Sequence, residues 1–197
     1  MKPIVYLLDN FDSFTYNLVN ELAMLDFELA IYRNNLDARY IADKMAQENR
    51  PVLLLLSPGP GAPKQAGCMA ELISLCKGRY PILGICLGHQ ALIESYGGTI
   101  GHAGETVHGK TSEILMQDHP LFNGLPEKFN VARYHSLMAT DVPSTVDVIA
   151  TVDHIPMAVI NEVDKVIGYQ FHPESILTTH GTQLLKQSID WLLAEAA

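Results

Sequence analysis

The chain has 197 residues, 48% hydrophobic and 18% charged, which is typical of a compact globular protein rather than a disordered one. Its net charge of −9 argues against nucleic acid or an anionic membrane surface as the main partner, since both attract basic patches. No apolar run approaches the roughly 18 residues of a membrane-spanning helix. We therefore expect one domain over residues 1–197, with no membrane segment and no signal peptide.

The three cysteines, Cys68, Cys76 and Cys86, form an odd set without the spacing of a disulfide framework. This content suits a reducing compartment, and it predicts a cytoplasmic protein. It also leaves one cysteine available as a nucleophile.

The first half of the chain alternates short apolar runs with helical periodicity. Strands are predicted at residues 4–8, 29–32, 51–56 and 81–85. Helices are predicted at residues 14–25, capped by Asp12 or Ser13, at 37–47, from the loop ending at Pro63 to about Lys77, and at 88–96. This order predicts an α/β fold with a mostly parallel, doubly wound sheet and helices on both faces.

The second half has a different pattern. Residues 99–169 contain short strand-like runs separated by turns and no clear helix, which predicts a smaller antiparallel addition to the sheet. A last helix is predicted from the apolar face formed by Leu184, Leu185, Ile189, Leu192 and Leu193.

Cys86 lies in the sequence Gly-Ile-Cys-Leu-Gly-His-Gln at 84–90, where a buried strand ends and a helix begins. The pattern Gly-x-Cys-x-Gly is typical of a nucleophile elbow, because glycines on either side let the backbones approach closely. Such a turn raises the thiol above the carboxyl edge of the sheet, and the helix N-terminus favours the thiolate. A buried structural cysteine in a glycine-rich turn fits the same pattern.

His172 and Glu174 flank Pro173 in a second polar motif. Proline biases the preceding residue away from helix, so we expect an extended segment with both side chains on one face. The histidine would then take the thiol proton while the carboxylate orients the imidazole. A plain polar strand end is the alternative.

The loop at residues 57–61, Ser-Pro-Gly-Pro-Gly, follows the strand expected beside the Cys86 strand. Rigid backbone N–H groups in such a loop suit an oxyanion hole, although a simple connecting turn fits equally. The loop lacks the lysine pattern of a phosphate-binding loop. Cys86 and His89 have a Cys-x-x-His spacing but no second ligand pair, so no metal site is predicted.

Taken together, the motifs resemble the class I (triad) glutamine amidotransferases over nearly the full length. The resemblance rests on residues 57–61, on 84–90 and on Gln-Phe-His-Pro-Glu-Ser at 170–175, in that order. Three further segments narrow it to the chorismate-using branch: Asp-Asn-Phe-Asp-Ser-Phe-Thr-Tyr-Asn at 9–17, His-Gly-Lys at 108–110 and Arg-Tyr-His-Ser-Leu at 133–137. Within that branch, residues 60–62 and 175–181 look more like the subunit of anthranilate synthase than that of aminodeoxychorismate synthase.

The resemblance implies roles for individual residues. The catalytic triad would be Cys86, His172 and Glu174, and the oxyanion hole would use backbone N–H groups of Leu87 and Gly59. Residues implied to hold L-glutamine are Gly59, Pro60, Gly61, Gln90, Ser136 and Leu137.

The resemblance also implies a partner and no cofactor in this chain. Ammonia would pass to a chorismate-using synthase subunit, anthranilate synthase component I, where Mg²⁺ is expected. The segment at 9–17 is assigned to contact with this partner. Two alternatives remain at this stage: a cysteine hydrolase acting alone, such as a γ-glutamyl hydrolase, and a glutamine-binding module without activity.

Overall fold

A computed structural model of the chain describes residues 1–104 and 108–194. The first half has the predicted alternation of strands and helices: β1 Ile4–Asp9, α1 Phe14–Met24, β2 Glu28–Arg33, α2 Ala38–Ala46, β3 Val52–Leu56, α3 Met69–Cys76, β4 Ile82–Ile85 and α4 Leu87–Ser95. Helix α3 begins later than predicted. Gly67 has φ +52°, a left-handed conformation that interrupts a helix, and only a short 3-10 turn forms at Pro63–Gln65.

The second half consists of short strands, as predicted, followed by one helix. Its elements are β5 Thr99–His102, β6 Lys110–Met116, β7 Lys128–Arg133, β8 Leu137–Asp141, β9 Asp147–Val152, β10 Ile155–Asn161, β11 Val166–Tyr169 and α5 Gly181–Leu193.

One nine-stranded sheet contains strands from both halves, in the order β2-β1-β3-β4-β11-β10-β9-β6-β7. The strands from β2 to β11 are parallel, and the remaining four continue in antiparallel pairs. Strands β5 and β8 form a separate antiparallel pair. The mixed, α/β fold class is therefore confirmed.

The placement of β11 corrects one expectation. We assigned the whole of residues 99–169 to an antiparallel addition, but β11 lies parallel to β4, with Gly168 opposite Gly84. A hairpin spacing predicts only the antiparallel neighbour, here β10, and carries no information about the strand on the other side.

Helices cover both faces of the parallel half. Helices α1 and α5 pack on one face, and α2, α3 and α4 pack on the other. Strand β3 reads as an unbroken apolar run because Leu53 and Leu55 enter the first core cluster while Leu54 and Leu56 enter the second.

Strands of both halves share one sheet, so we keep the single domain of residues 1–197 as an inference; residues 105–107 and 195–197 of that range lie outside the described residues. Among the helices that the structure describes, none has the length and apolar character needed to cross a bilayer. The residues that follow β1, β3, β4 and β11 meet at the carboxyl edge of the sheet, where open α/β sheets bind their ligands.

Candidate active site

Cys86 occupies a strained turn between β4 and α4. Its φ of 51° and ψ of −98° are rare for a residue with a side chain, and its N–H donates to the Tyr169 carbonyl at 2.7 Å. A Cβ added to Gly84 would lie 2.6 Å from the Gly88 carbonyl carbon, and one on Gly88 would lie 2.5 Å from the Leu56 oxygen. The flanking glycines therefore permit the turn, and the predicted nucleophile elbow is present.

The sulfur of Cys86 lies among polar groups although the residue is only 6% exposed. Nε2 of Gln170 approaches Sγ at 3.7 Å. Leu87 is the first residue of α4, so its N–H has no acceptor within the helix. Both features favour negative charge at this edge of the sheet.

His172 and Glu174 form a buried pair, with 2.7 Å between Nδ1 and Oε1. The chain here is not the extended segment that we expected. The Ser175 N–H donates to the His172 carbonyl at 3.2 Å, closing a turn over Pro173. This turn, rather than strand alternation, brings the two side chains together.

The environment of His172 favours its protonated form. Burial alone lowers the pKa of His172, but the charge of Glu174 and contacts with Glu174 and Cys86 raise it, and the net pKa lies above the ordinary value. Nε2 of His172 is buried and has no hydrogen-bond partner among the described residues. Cys86 follows β4 and His172 follows β11, and these two strands are paired, so the thiol and the imidazole lie at neighbouring points of the same sheet edge.

Two aromatic rings enclose His172. The Phe14 and Tyr134 centroids lie 4.8 Å and 5.2 Å from the imidazole centroid, and the two rings contact each other at 4.7 Å. Phe14, the first residue of α1, is half-buried against the histidine. These rings hold the imidazole in place and limit its contact with water.

A pocket of about 120 Å³ opens beside the thiol. It is smaller than the 300–1,000 Å³ usual for drug-sized ligands and suits a small polar molecule. Its walls are Gly59, Gly61, Cys86, Leu87, Gln90, Tyr134, His135, Ser136 and Leu137. Of the residues predicted to hold glutamine or the oxyanion, only Pro60 is not part of these walls.

Gly59 and Leu87 are adjacent in this pocket. A Cβ added to Gly59 would lie 2.6 Å from Leu87 Cδ2 and 2.6 Å from Asn10 Cβ, so a larger residue would displace the loop. Asn10 fixes that loop, because its N–H donates to Ser57 Oγ and its Nδ2 donates to the Ser57 carbonyl, both at 2.9 Å.

Sequence reasoning assigned no role to several residues that the fold brings to the site. Thr178 donates to the His172 carbonyl at 2.6 Å and accepts from the Ala132 N–H at 3.0 Å, tying the His172 turn to β7. Gln170 and Tyr134 belong to motifs that carried the resemblance, but no spacing in the sequence shows what they contact. In residues 1–104 and 108–194, no three His, Cys, Asp or Glu side chains are arranged to hold a metal ion.

A cysteine on a strand-to-helix elbow, beside a buried histidine–carboxylate pair, is typical of α/β enzymes that attack through a thiol. The family model for class-I glutamine amidotransferases matches residues 6–191, and the chain belongs to that family.

Its relatives include anthranilate synthase component 2 of Vibrio parahaemolyticus, 52% identical over 98% of this chain and 97% of the relative. The protein of the same description from Helicobacter pylori is 50% identical over 95% of this chain and 97% of the relative. Among solved structures, a Thermoplasma acidophilum protein described as part of a GMP synthase has a TM-score of 0.84 over 98% of this chain and 94% of that chain. At 22% identity, that likeness shows the fold alone.

Proposed function

We propose that this chain is the glutaminase subunit of an anthranilate synthase, which hydrolyses L-glutamine and supplies ammonia to a chorismate-using subunit in tryptophan biosynthesis. Relatives described as anthranilate synthase component 2 match it over nearly their full length at 50–52% identity, which supports the proposal. The observation that supports the chemistry is the position of the Cys86 thiol, on its elbow, beside the His172–Glu174 pair. In that pair, His172 Nδ1 lies 2.7 Å from Glu174 Oε1. A cytoplasmic location is part of the proposal.

In the proposed mechanism, His172 holds the proton of the Cys86 thiol, and the thiolate attacks the side-chain amide carbon of glutamine. The C–N bond then breaks, His172 returns the proton to the leaving nitrogen, and ammonia departs from a glutamyl thioester. Water, deprotonated by His172, hydrolyses the thioester to glutamate and regenerates the thiol. Glu174 orients the imidazole and supports its positive charge.

The small pocket supplies the remaining contacts in this proposal. Backbone N–H groups of Leu87 and Gly59 bind the oxygen that becomes negative during attack. Gln90, with the backbone of Ser136 and Leu137, holds the α-amino and carboxylate groups. Gly61, which has φ +74°, lines the same pocket.

A partner subunit is needed because ammonia released into water at neutral pH is protonated and loses its nucleophilic lone pair. The proposal places the synthase subunit, with its Mg²⁺, over the carboxyl edge of the sheet, so that ammonia passes directly to it. Phe11 and Tyr16, which are 52% and 77% exposed just after β1, suit an interface anchor.

The test is a complex of the chain with a chorismate-using synthase subunit. Cys86→Ser should abolish glutamine-dependent anthranilate formation while ammonia-dependent formation persists. Cys68→Ser and Cys76→Ser are matched controls, because Cys68 precedes α3 and Cys76 is buried within it. Glutamine-dependent turnover by Cys86→Ser would refute the proposed mechanism.

The same experiment separates the alternatives. Aminodeoxychorismate as the product would assign the chain to the folate-pathway synthase, and both products would indicate a shared subunit. Glutaminase activity that does not change when the synthase subunit is added would indicate a hydrolase acting alone. Failure of a thiol-reactive glutamine analogue to modify Cys86 would indicate a glutamine-binding module.

A further inference from the structure

Gln170 is a fully buried polar residue whose two amide atoms face two different parts of the candidate site. It directly follows β11, and its backbone N–H donates to the Met157 carbonyl at 2.9 Å. Its side chain therefore points from a fixed backbone toward the elbow, where it contacts Cys86 and Gln90.

A backbone carbonyl determines which way these amides are oriented. The Leu137 oxygen can only accept, so the Gln90 atom 3.1 Å away must be the nitrogen. The second N–H of that nitrogen points to Gln170, at 3.1 Å, and this contact requires the Gln170 oxygen. The Gln170 nitrogen is then the atom that faces Cys86 Sγ at 3.7 Å.

His135 strengthens the same orientation. Its Nε2 accepts from Arg133 Nε at 3.2 Å, which leaves the proton of the neutral ring on Nδ1, 2.9 Å from the Leu137 carbonyl. Burial, followed by the charge of Arg133, lowers the pKa of His135 to about 4, so the ring is neutral near pH 7. The Leu137 carbonyl is thus held as an acceptor from both sides.

We propose that Gln170 has two functions in glutamine hydrolysis: it donates a hydrogen bond to the Cys86 sulfur, and it orients the Gln90 amide. Because both N–H groups of Gln90 are used, only its oxygen is left for the ligand, where it can accept from the α-amino group of glutamine. A donor to sulfur stabilises the thiolate that attacks. This inference rests on the proposed function.

The test is the pH dependence of alkylation of Cys86 by iodoacetamide in the isolated chain, followed on the peptide that carries Cys86. Gln170→Met keeps the length and the buried apolar stem but removes the N–H donor. We expect the midpoint of the pH–rate profile to rise by about one unit, the scale of a hydrogen bond to a charged group. In the complex, the KM for glutamine should also rise and kcat should fall.

Tyr169→Phe is the matched control. Tyr169 is the neighbouring buried residue, and its hydroxyl pairs with Ser188 on α5 at 2.7 Å rather than with the site. It should lower the melting temperature without moving the alkylation midpoint. An unmoved midpoint in Gln170→Met, or an equal shift in Tyr169→Phe, would overturn the proposal and assign Gln170 to packing.

A second measurement uses only the wild-type chain, so it tests the contact even if the Gln170→Met chain does not fold. The side-chain amide resonance of Gln170 in the wild-type chain should titrate with the same midpoint as the alkylation of Cys86. An amide resonance that does not shift with pH would refute the contact. If the wild-type complex lacks glutaminase activity, the proposed function fails, whereas the sulfur contact is still decided by these two titrations.

Discussion

At the scale of single residues, His172 and Glu174 differ in how directly they take part in the reaction. His172 is enclosed by Phe14 and Tyr134, so its ring has little rotational freedom even without its carboxylate partner. Glu174 acts on the reaction only through Nδ1 of that ring, 2.7 Å away. Replacing His172 should therefore lower activity more than replacing Glu174.

His172→Ala should lower glutamine-dependent kcat by about 10⁴-fold or more, because no other group can move the proton. Glu174→Gln should lower kcat by a factor on the order of 10 to 100 smaller than His172→Ala does, since a neutral imidazole still exchanges protons. Steady-state glutaminase kinetics of the complex check both, with Glu113→Gln on the exposed side of β6 as control. A harmless Glu174→Gln would show that another acid orients the histidine.

Residue types and spacing made the thiol, the imidazole and the carboxylate candidates, because each belongs to a short motif with a known chemical purpose, and the family resemblance joined them into a triad. They were not enough for Gln170, Phe14 or Thr178. These residues act through contacts between segments 46 to 158 positions apart, for example Thr178 with Ala132, and one sequence contains no distance across the fold.

At the scale of elements, helix α4 begins at Leu87 and places His89 in the core. This ring is fully buried, and a Cβ added to the neighbouring Gly168 would lie 2.8 Å from its Nδ1. Burial lowers the pKa of His89 to about 3, opposed by the Gly168 backbone and assisted by His135. A neutral histidine below the elbow makes the stability of this element depend on pH.

Between pH 6.5 and 3 the unfolded chain binds a proton at His89 that the folded chain does not, so stability falls as the pH falls. His89→Leu should reduce the slope of unfolding free energy against pH in this window by up to about 1.4 kcal/mol per unit. Urea unfolding at pH 7, 6 and 5 measures it, with the exposed His154→Leu as control. Parallel slopes for wild type and His89→Leu would contradict the assignment.

The elements of the first half were predictable because each strand is an apolar run of strand length and each helix has a 3.6-residue periodicity. The position of β11 was not predictable. Its sequence, Val-Ile-Gly-Tyr, fits an edge or a centre equally well, and the insertion beside β4 depends on packing between distant segments.

At the scale of the whole molecule, the exposed apolar side chains near the site lie on two separate segments. Phe11 follows β1 with φ +60° and lies beneath the Arg33 guanidinium at 5.3 Å, while Ile176, 97% exposed, follows the His172 turn. Both segments flank the end of the sheet that carries Cys86, which is where the proposed partner would dock.

Phe11→Ala should raise the partner concentration for half-maximal glutaminase stimulation by about tenfold or more, the scale of an interface hot spot. The melting temperature of the isolated chain should change little, because half of the ring is already exposed. Val163→Ala is the control, since Val163 is 92% exposed in the turn before β11, at the opposite edge of the sheet. Unchanged stimulation with a lowered melting temperature would place the interface elsewhere.

Strand β11 has a consequence for how the chain reaches its folded state. Its four residues, Val166–Tyr169, are the only hydrogen-bonded link in the described sheet between the parallel strands and the antiparallel strands. They come late in the chain, so until β11 is synthesised the edges of β4 and β10 that it will join are unpaired. Unpaired strand edges favour aggregation. The thiol follows β4 and the imidazole follows β11 itself, so the nucleophile gains its base only when β11 pairs with β4.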